Sequence, residues 1–290
     1  MTTTEAAAAQ ELLTGWRPTG RDRFVVTARW PHDHPAYPSA DGVHDPLLLA
    51  ETVRQAITLL CREAYDVPPA HDQLWDHFVY AVEPAALTTT APTTMAPPTT
   101  APTTTALTTT ALTTPTPTTP TPTTTALAPA ARTSDPLPTQ VELHIGCADI
   151  TRRRGRLTGL TTHVAVIRDG VLLGGAEAAF TIRPALTTVG ADNTGIATDR
   201  TPSMALMEAA RRAAQQAAHP HGGLLSGMAV EFLLLADPDA PCAIDTEVTP
   251  HIWEPDGRLQ IRVTARQHGQ LVFAATATAE VTSVELLLAS

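Results

Sequence analysis

Residues 44–56 read HDPLLLAETVRQA. Asp45 has the short acceptor side chain of a helix N-cap, and Pro46 has the fixed φ suited to the first helical position. Leu49, Val53, Ala56 and Leu60 then recur at helical spacing, which predicts a helix over 46–64, closed by Pro68-Pro69. At about 100° per residue, Glu51 falls opposite that stripe, with Arg54, Gln55 and Thr58 nearby. A second stretch repeats the device. Residues 199–213 read DRTPSMALMEAARRA, so that Glu51 aligns with Glu208, Leu49 with Leu206, Arg54 with Arg211 and Ala56 with Ala213. Pro202 opens this second helix, expected over 203–218, with Leu206, Ala210, Ala213 and Ala217 as its apolar stripe. Glu208, Arg212 and Gln215 take the opposite face.

Strand-like segments surround each helix. Residues 12–16 (LLTGW) read as a short apolar lead-in and 23–30 (RFVVTARW) as a strand rich in β-branched and aromatic residues. Further strands are expected at 74–83, 140–150, 157–170 and 171–183, and after the second helix at 228–235, 243–251, 258–266 and 270–282. Arg168-Asp169-Gly170, Asp256-Gly257 and His268-Gly269 have hairpin-turn chemistry. Residues 88–130 are almost entirely Thr, Pro and Ala, too poor in large apolar groups to offset their ordering entropy, so a disordered insertion over 88–135 is expected. Two units of helix plus antiparallel sheet make an α+β chain, with the first unit at 12–187 and the second at 188–290.

Composition narrows the function. The chain has 290 residues, 43% of them hydrophobic, and a net charge of −10, which argues against non-specific nucleic-acid binding and docking on anionic lipid. The N-terminus lacks a cationic lead-in and no run of about 18 apolar residues occurs, so the expectation is a cytoplasmic chain with no membrane contact. Cys61, Cys147 and Cys242 are far apart and form no metal-binding pair, and Cys61 reads as a core residue. His32, Asp33, His34, His44 and Asp45 cluster in sequence, but at no standard zinc spacing, so neither a metal nor a cofactor is expected. His44 and Asp45 read instead as residues shaping the helix entry beside Glu51.

Longer runs narrow it further. LLTGWRPTGRDRFVVTARWPHDHPAY (12–37), HDPLLLAETVRQA, YDVP (65–68) and VELHIGCADITRRRGRLTGL (141–160) together resemble the A-factor (γ-butyrolactone) biosynthesis hotdog family of actinomycetes. The likeness covers about residues 12–183 apart from the insertion, and a second repeat rests on MALMEAARRAA (204–214). The resemblance implies a tandem hotdog and an acyltransferase, which moves a β-ketoacyl chain from an acyl carrier protein to the hydroxyl of dihydroxyacetone phosphate. It also implies that Glu51 and Glu208 are the catalytic carboxylates. The second unit departs from the family pattern. Only 16 residues separate Arg183 from Arg200, Arg200 stands where a His is expected, and Met204 where a Gly is usual, so this unit is clipped at its start.

Such a transfer needs a base for the attacking hydroxyl, a site for the developing oxyanion and a grip on phosphate. A partly desolvated carboxylate suits the first, free N–H groups of a helix first turn the second, and arginine forks the third. Arg54 and Arg211, one turn after the glutamates, are the candidate phosphate ligands, with Gln55, His44 and Asp45 completing the substrate site. Arg152, Arg153 and Arg154 read as a solvated turn. Two rivals share the pattern: another hotdog enzyme acting on acyl thioesters, a thioesterase or dehydratase, and a non-catalytic paralogue that binds an acyl or lactone ligand.

Overall fold

The computed structural model describes residues 11–39, 42–88, 138–184, 202–221, 223–237, 240–250 and 258–281. The Thr/Pro tract beyond Thr88 and the hairpin expected at Asp256-Gly257 lie outside the described residues. The elements run β1 (Leu13–Gly20), β2 (Arg23–Trp30), α1 (Pro46–Glu63), β3 (His71–Val82), a short 3-10 turn (Pro84–Leu87), β4 (Thr139–Arg153), β5 (Arg156–Arg168) and β6 (Val171–Pro184). They continue with α2 (Pro202–Ala218), β7 (Gly223–Phe232), β8 (Ala243–Pro250), β9 (Arg258–Gln267) and β10 (Gln270–Val281).

All ten strands join one sheet in the order β1-β2-β4-β5-β6-β3-β7-β10-β9-β8. The strand that follows each helix lies at its centre. There β3 and β7 pair antiparallel, Phe78 opposite Val230 and Tyr80 opposite Met228. From this seam the order runs outward as β6-β5-β4 on one side and β10-β9-β8 on the other, and β2 and β1 extend the first side only. Gly227 makes the seam possible at this spacing, because a Cβ there would meet the Tyr80 carbonyl oxygen at 2.8 Å. Tight turns close three hairpins: Arg154-Gly155, Asp169-Gly170 and His268-Gly269 all have positive φ at both positions, the conformation a two-residue loop needs to follow strand twist.

The local chemistry of α1 is as its sequence predicts at both ends. Asp45 Oδ1 accepts the Leu47 N–H at 2.9 Å, and Pro46 sits in the first turn. At the other end the Tyr65 and Val67 N–H groups cap the carbonyls of Leu60 and Cys61. Leu47, Leu48, Leu49 and Ala50 are all fully buried, so the first turn is enclosed on every side rather than along one stripe. Trp30 fastens the helix to β2 by donating its indole N–H to Thr52 Oγ1 at 2.8 Å. Cys61 is buried as expected, and burial pushes its thiol up to about 12.

Three expectations need correction. The lead-in at 12–16 is part of a complete strand paired with β2. Strand β7 starts at Gly223 and ends at Phe232, and the next two residues, Leu233 and Leu234, both donate to the Val272 carbonyl. In α2 the buried row is Met204, Met207, Ala210, Ala214 and Ala218, whereas Leu206, Ala213 and Ala217 are half-buried. The expected stripe copies the α1 positions, and the buried Met204 and Met207 shift the true row by about one residue.

Candidate active site

The α1 carboxylate is clamped on both sides. Arg54 donates Nε to Glu51 Oε2 at 2.9 Å and Nη2 to Oε1 at 2.7 Å, a two-pronged contact made possible by the i,i+3 spacing. Gln55 Nε2 donates to Glu51 Oε1 at 2.8 Å, and Gln55 Oε1 accepts the Leu12 backbone N–H at 3.0 Å. That backbone contact fixes which end of the amide faces the glutamate. The face opposite the apolar stripe is therefore not solvated: the Glu51 side chain is 13% exposed and that of Arg54 22%. Burial works to lower the Arg54 guanidinium, but the hydrogen bonds and charge of Glu51 together hold it above its ordinary value.

The α2 carboxylate is held differently. Arg212, the counterpart of Gln55, donates Nε to Glu208 Oε1 at 2.6 Å, and Arg211 Nη2 approaches the same oxygen at 3.4 Å. Arg211 also donates Nη1 to Gln215 at 2.7 Å and places Nη2 3.4 Å from Asp45 Oδ2, the N-cap of α1. One side chain thus pairs with the capping carboxylate of the first helix and with the glutamate of the second. Glu208 is 5% exposed, where the sequence puts it on the outer face. Glu208 Oε2, Arg211 Nε and the Tyr80 hydroxyl are buried without a hydrogen-bond partner among the described residues. Burial pushes the Asp45 carboxyl up, and this outweighs the opposing pull of Arg211 and of the Leu47 N–H. Tyr80 is also pushed up, by burial first and then by Asp45.

A cleft of about 700 Å³ opens between α1, the start of α2 and the ends of β3 and β7. Arg54, Arg62 and Arg183 line it together with Trp75, Phe232 and Leu234. Arginine forks and an apolar wall share the cavity with the carboxylates of Asp72 and Asp76, so it offers partners to both a phosphate group and a hydrophobic tail. Of the residues singled out from sequence, Arg54 lines this cleft; Glu51 and Gln55 stand behind it, and Glu208, Arg211 and Asp45 meet at the helix seam. His44 is 1% exposed, with Nε2 2.9 Å from Thr139 Oγ1 and Nδ1 3.1 Å from Ser39 Oγ. Burial first, then the neighbouring His32 and Arg168, pushes it down to about 4, so it is neutral at pH 7.

The first turn of α1 does not supply free oxyanion donors. The Leu47 N–H is taken by Asp45 Oδ1 and the Leu48 N–H by the Asp45 carbonyl, and both residues are fully buried. Arg152, Arg153 and Arg154 form an exposed hairpin end, as expected. Among the described residues no group of three His, Cys, Asp or Glu could hold a metal, and no helix is long and apolar enough to cross a membrane. Sequence reading missed Arg62 and Arg183. Arg54, Thr58 and Arg62 lie four apart, so one helix face bearing two cations was visible in principle; Arg183 reaches the cleft only through the sheet.

Comparison with known proteins agrees with this architecture. The family model described as the A-factor biosynthesis hotdog domain matches residues 5–115. A protein of Streptomyces coelicolor named 2-oxo-3-(phosphooxy)propyl 3-oxoalkanoate synthase is 30% identical over 268 residues, 90% of this chain and 84% of its own. A protein of the same name from Streptomyces virginiae is 27% identical over 318 residues, 92% of each chain. Among solved structures, the 12:0-ACP thioesterase of Umbellularia californica matches with a TM-score of 0.53 and 9% identity, over 89% of this chain and 94% of that one. An acyl-ACP thioesterase of Bacteroides thetaiotaomicron matches at 0.50 and 7%, over 90% and 98%. At such identities these two establish the hotdog fold alone.

Proposed function

The chain belongs to the A-factor biosynthesis hotdog family, and on that premise we propose that it carries out the reaction for which its relatives are named. It transfers a β-ketoacyl chain to the hydroxyl of dihydroxyacetone phosphate in the synthesis of a γ-butyrolactone signal. The observation that carries this reading is the 30% identity to a synthase of that name across 90% of the chain, both helices included. The acyl donor is a thioester on an acyl carrier protein. The architecture is a tandem hotdog, in which α1 with β3-β6-β5-β4 and α2 with β7-β10-β9-β8 are the two repeats.

Glu51 is the general base. It takes the proton from the acceptor hydroxyl as that oxygen attacks the thioester carbonyl; the carbon–sulfur bond breaks, and the departing thiolate takes up a proton. Arg54 holds the acceptor phosphate, and the apolar wall at Trp75, Phe232 and Leu234 accepts the alkyl chain. Glu208, Arg211 and Asp45 order the seam between the helices. The test is to incubate the purified protein with a β-ketoacyl thioester on carrier protein, with and without dihydroxyacetone phosphate, and to follow products by mass spectrometry. An acyl-triose-phosphate ester that disappears in Glu51→Gln is expected. Free β-keto acid in its place would make the chain a thioesterase, and no product from folded protein would leave a binding paralogue.

A further inference from the structure

Arg54 faces two ways. It forks onto Glu51 through Nε and Nη2, and it forms part of the cleft wall. Glu51 occupies two of the guanidinium's five N–H groups, and these are the parallel pair that also fits two oxygens of a phosphate. The other partner of Glu51 cannot be drawn away so easily. Gln55 is anchored by the Leu12 backbone N–H and does not line the cleft. One side of the carboxylate is therefore clamped by a fixed group and the other by a group within reach of ligand.

We propose that Arg54 is shared between Glu51 and the phosphate of the acceptor, so that binding of a phosphomonoester draws the guanidinium off Glu51 and leaves its carboxylate held by Gln55 and free to accept a proton. This rests on the reading of the chain as a transferase to a phosphorylated alcohol. Both carboxylate oxygens of Glu51 accept from Arg54, so the guanidinium stands where an incoming hydroxyl proton would have to go. A phosphate dianion is the stronger ligand for the fork, so the base becomes available when the acceptor hydroxyl has arrived. Such coupling spares the thioester from hydrolysis before the acceptor binds, which a transferase on a hotdog frame requires. Gln55 is in this scheme a positioning residue, and its role is to stop the released carboxylate from turning away.

The competition predicts the sign of the effect and requires that it run through the Arg54 fork. Inorganic phosphate binding is measured by calorimetry on the full chain, with folding checked by circular dichroism. Glu51→Gln, nearly isosteric but uncharged, is expected to bind phosphate about fivefold tighter than the unaltered protein, because the fork no longer has an anionic rival. Arg54→Lys is expected to bind at least about tenfold more weakly. Unchanged or weaker binding in Glu51→Gln overturns the sharing, as does the absence of measurable binding in every variant or unaltered binding in Arg54→Lys. Tighter binding in Glu51→Gln from a chain that makes no ester in the transfer assay would keep the shared arginine and discard the proposed acceptor.

Discussion

Glu51 and Glu208 occupy the same position on two helices of one chain, each with an arginine three residues on, and the surroundings make them different groups. In α1 the arginine turns back onto its own glutamate and faces the cleft. In α2 the matching arginine is divided: it reaches Gln215 and Asp45 of the other helix and touches Glu208 at 3.4 Å, while Arg212 makes the shorter contact with that carboxylate. The residue at i+4 decides which glutamate is held by a neutral group and which by a second cation. The lesson is that a repeated motif conserves spacing, whereas tertiary packing assigns the work. The α1 copy lies next to a cavity that a substrate can enter. The α2 copy is built into the junction.

The largest effect should separate the two copies directly. Glu51→Gln is expected to lower kcat for ester formation by about a thousandfold, and Glu208→Gln by less than about tenfold, in the same mass-spectrometric assay. Comparable losses in both would erase the distinction. On stability the order should reverse. Arg211→Met leaves the half-buried Asp45 and the buried Glu208 with no cation between them and should cost about 3 kcal/mol in urea unfolding. Arg54→Met, which leaves Glu51 its Gln55 contact, should cost about half as much. Arg212 is 66% exposed, so Arg212→Ala should cost less than about 1 kcal/mol despite the 2.6 Å contact with Glu208.

A last, smaller effect sharpens the α1 side. His44 sits immediately before the N-cap and is pushed down from 6.5 to about 4. The unfolded chain therefore binds more protons than the folded one between those values. Stability is present above about pH 6.5 and is lost as pH falls toward 4, with a slope of at most about 1.4 kcal/mol per pH unit from this group. His44→Gln, measured by urea unfolding at several pH values, should flatten that slope whatever its effect at pH 7.

Much of the α1 site was legible in the sequence because its contacts are local. Asp45, Pro46, Glu51, Arg54 and Gln55 interact within one or two turns of a helix, where spacing dictates geometry. The Asp45–Arg211 pair was not legible, since it spans the seam between two helices that no short-range pattern joins. The orientation of α2 was misread because its expected stripe repeated the α1 positions, Leu206, Ala210, Ala213 and Ala217 matching Leu49, Val53, Ala56 and Leu60, whereas Met204 and Met207 turn the buried row about one residue. The cleft was invisible for a related reason: Arg183 comes from the end of β6 and Leu234 from just beyond β7, and they meet Arg54 only after the sheet has formed.

The pairing of His77–Ala81 with Glu231–Gly227 has one more consequence. The junction it creates lies within a single polypeptide, so it has no dissociation constant. Dilution cannot part Asp45 from Arg211, and each helix is free to accumulate changes that two identical subunits would have to share. A single substitution here alters one half of the junction, where in a symmetric pair it would strike both.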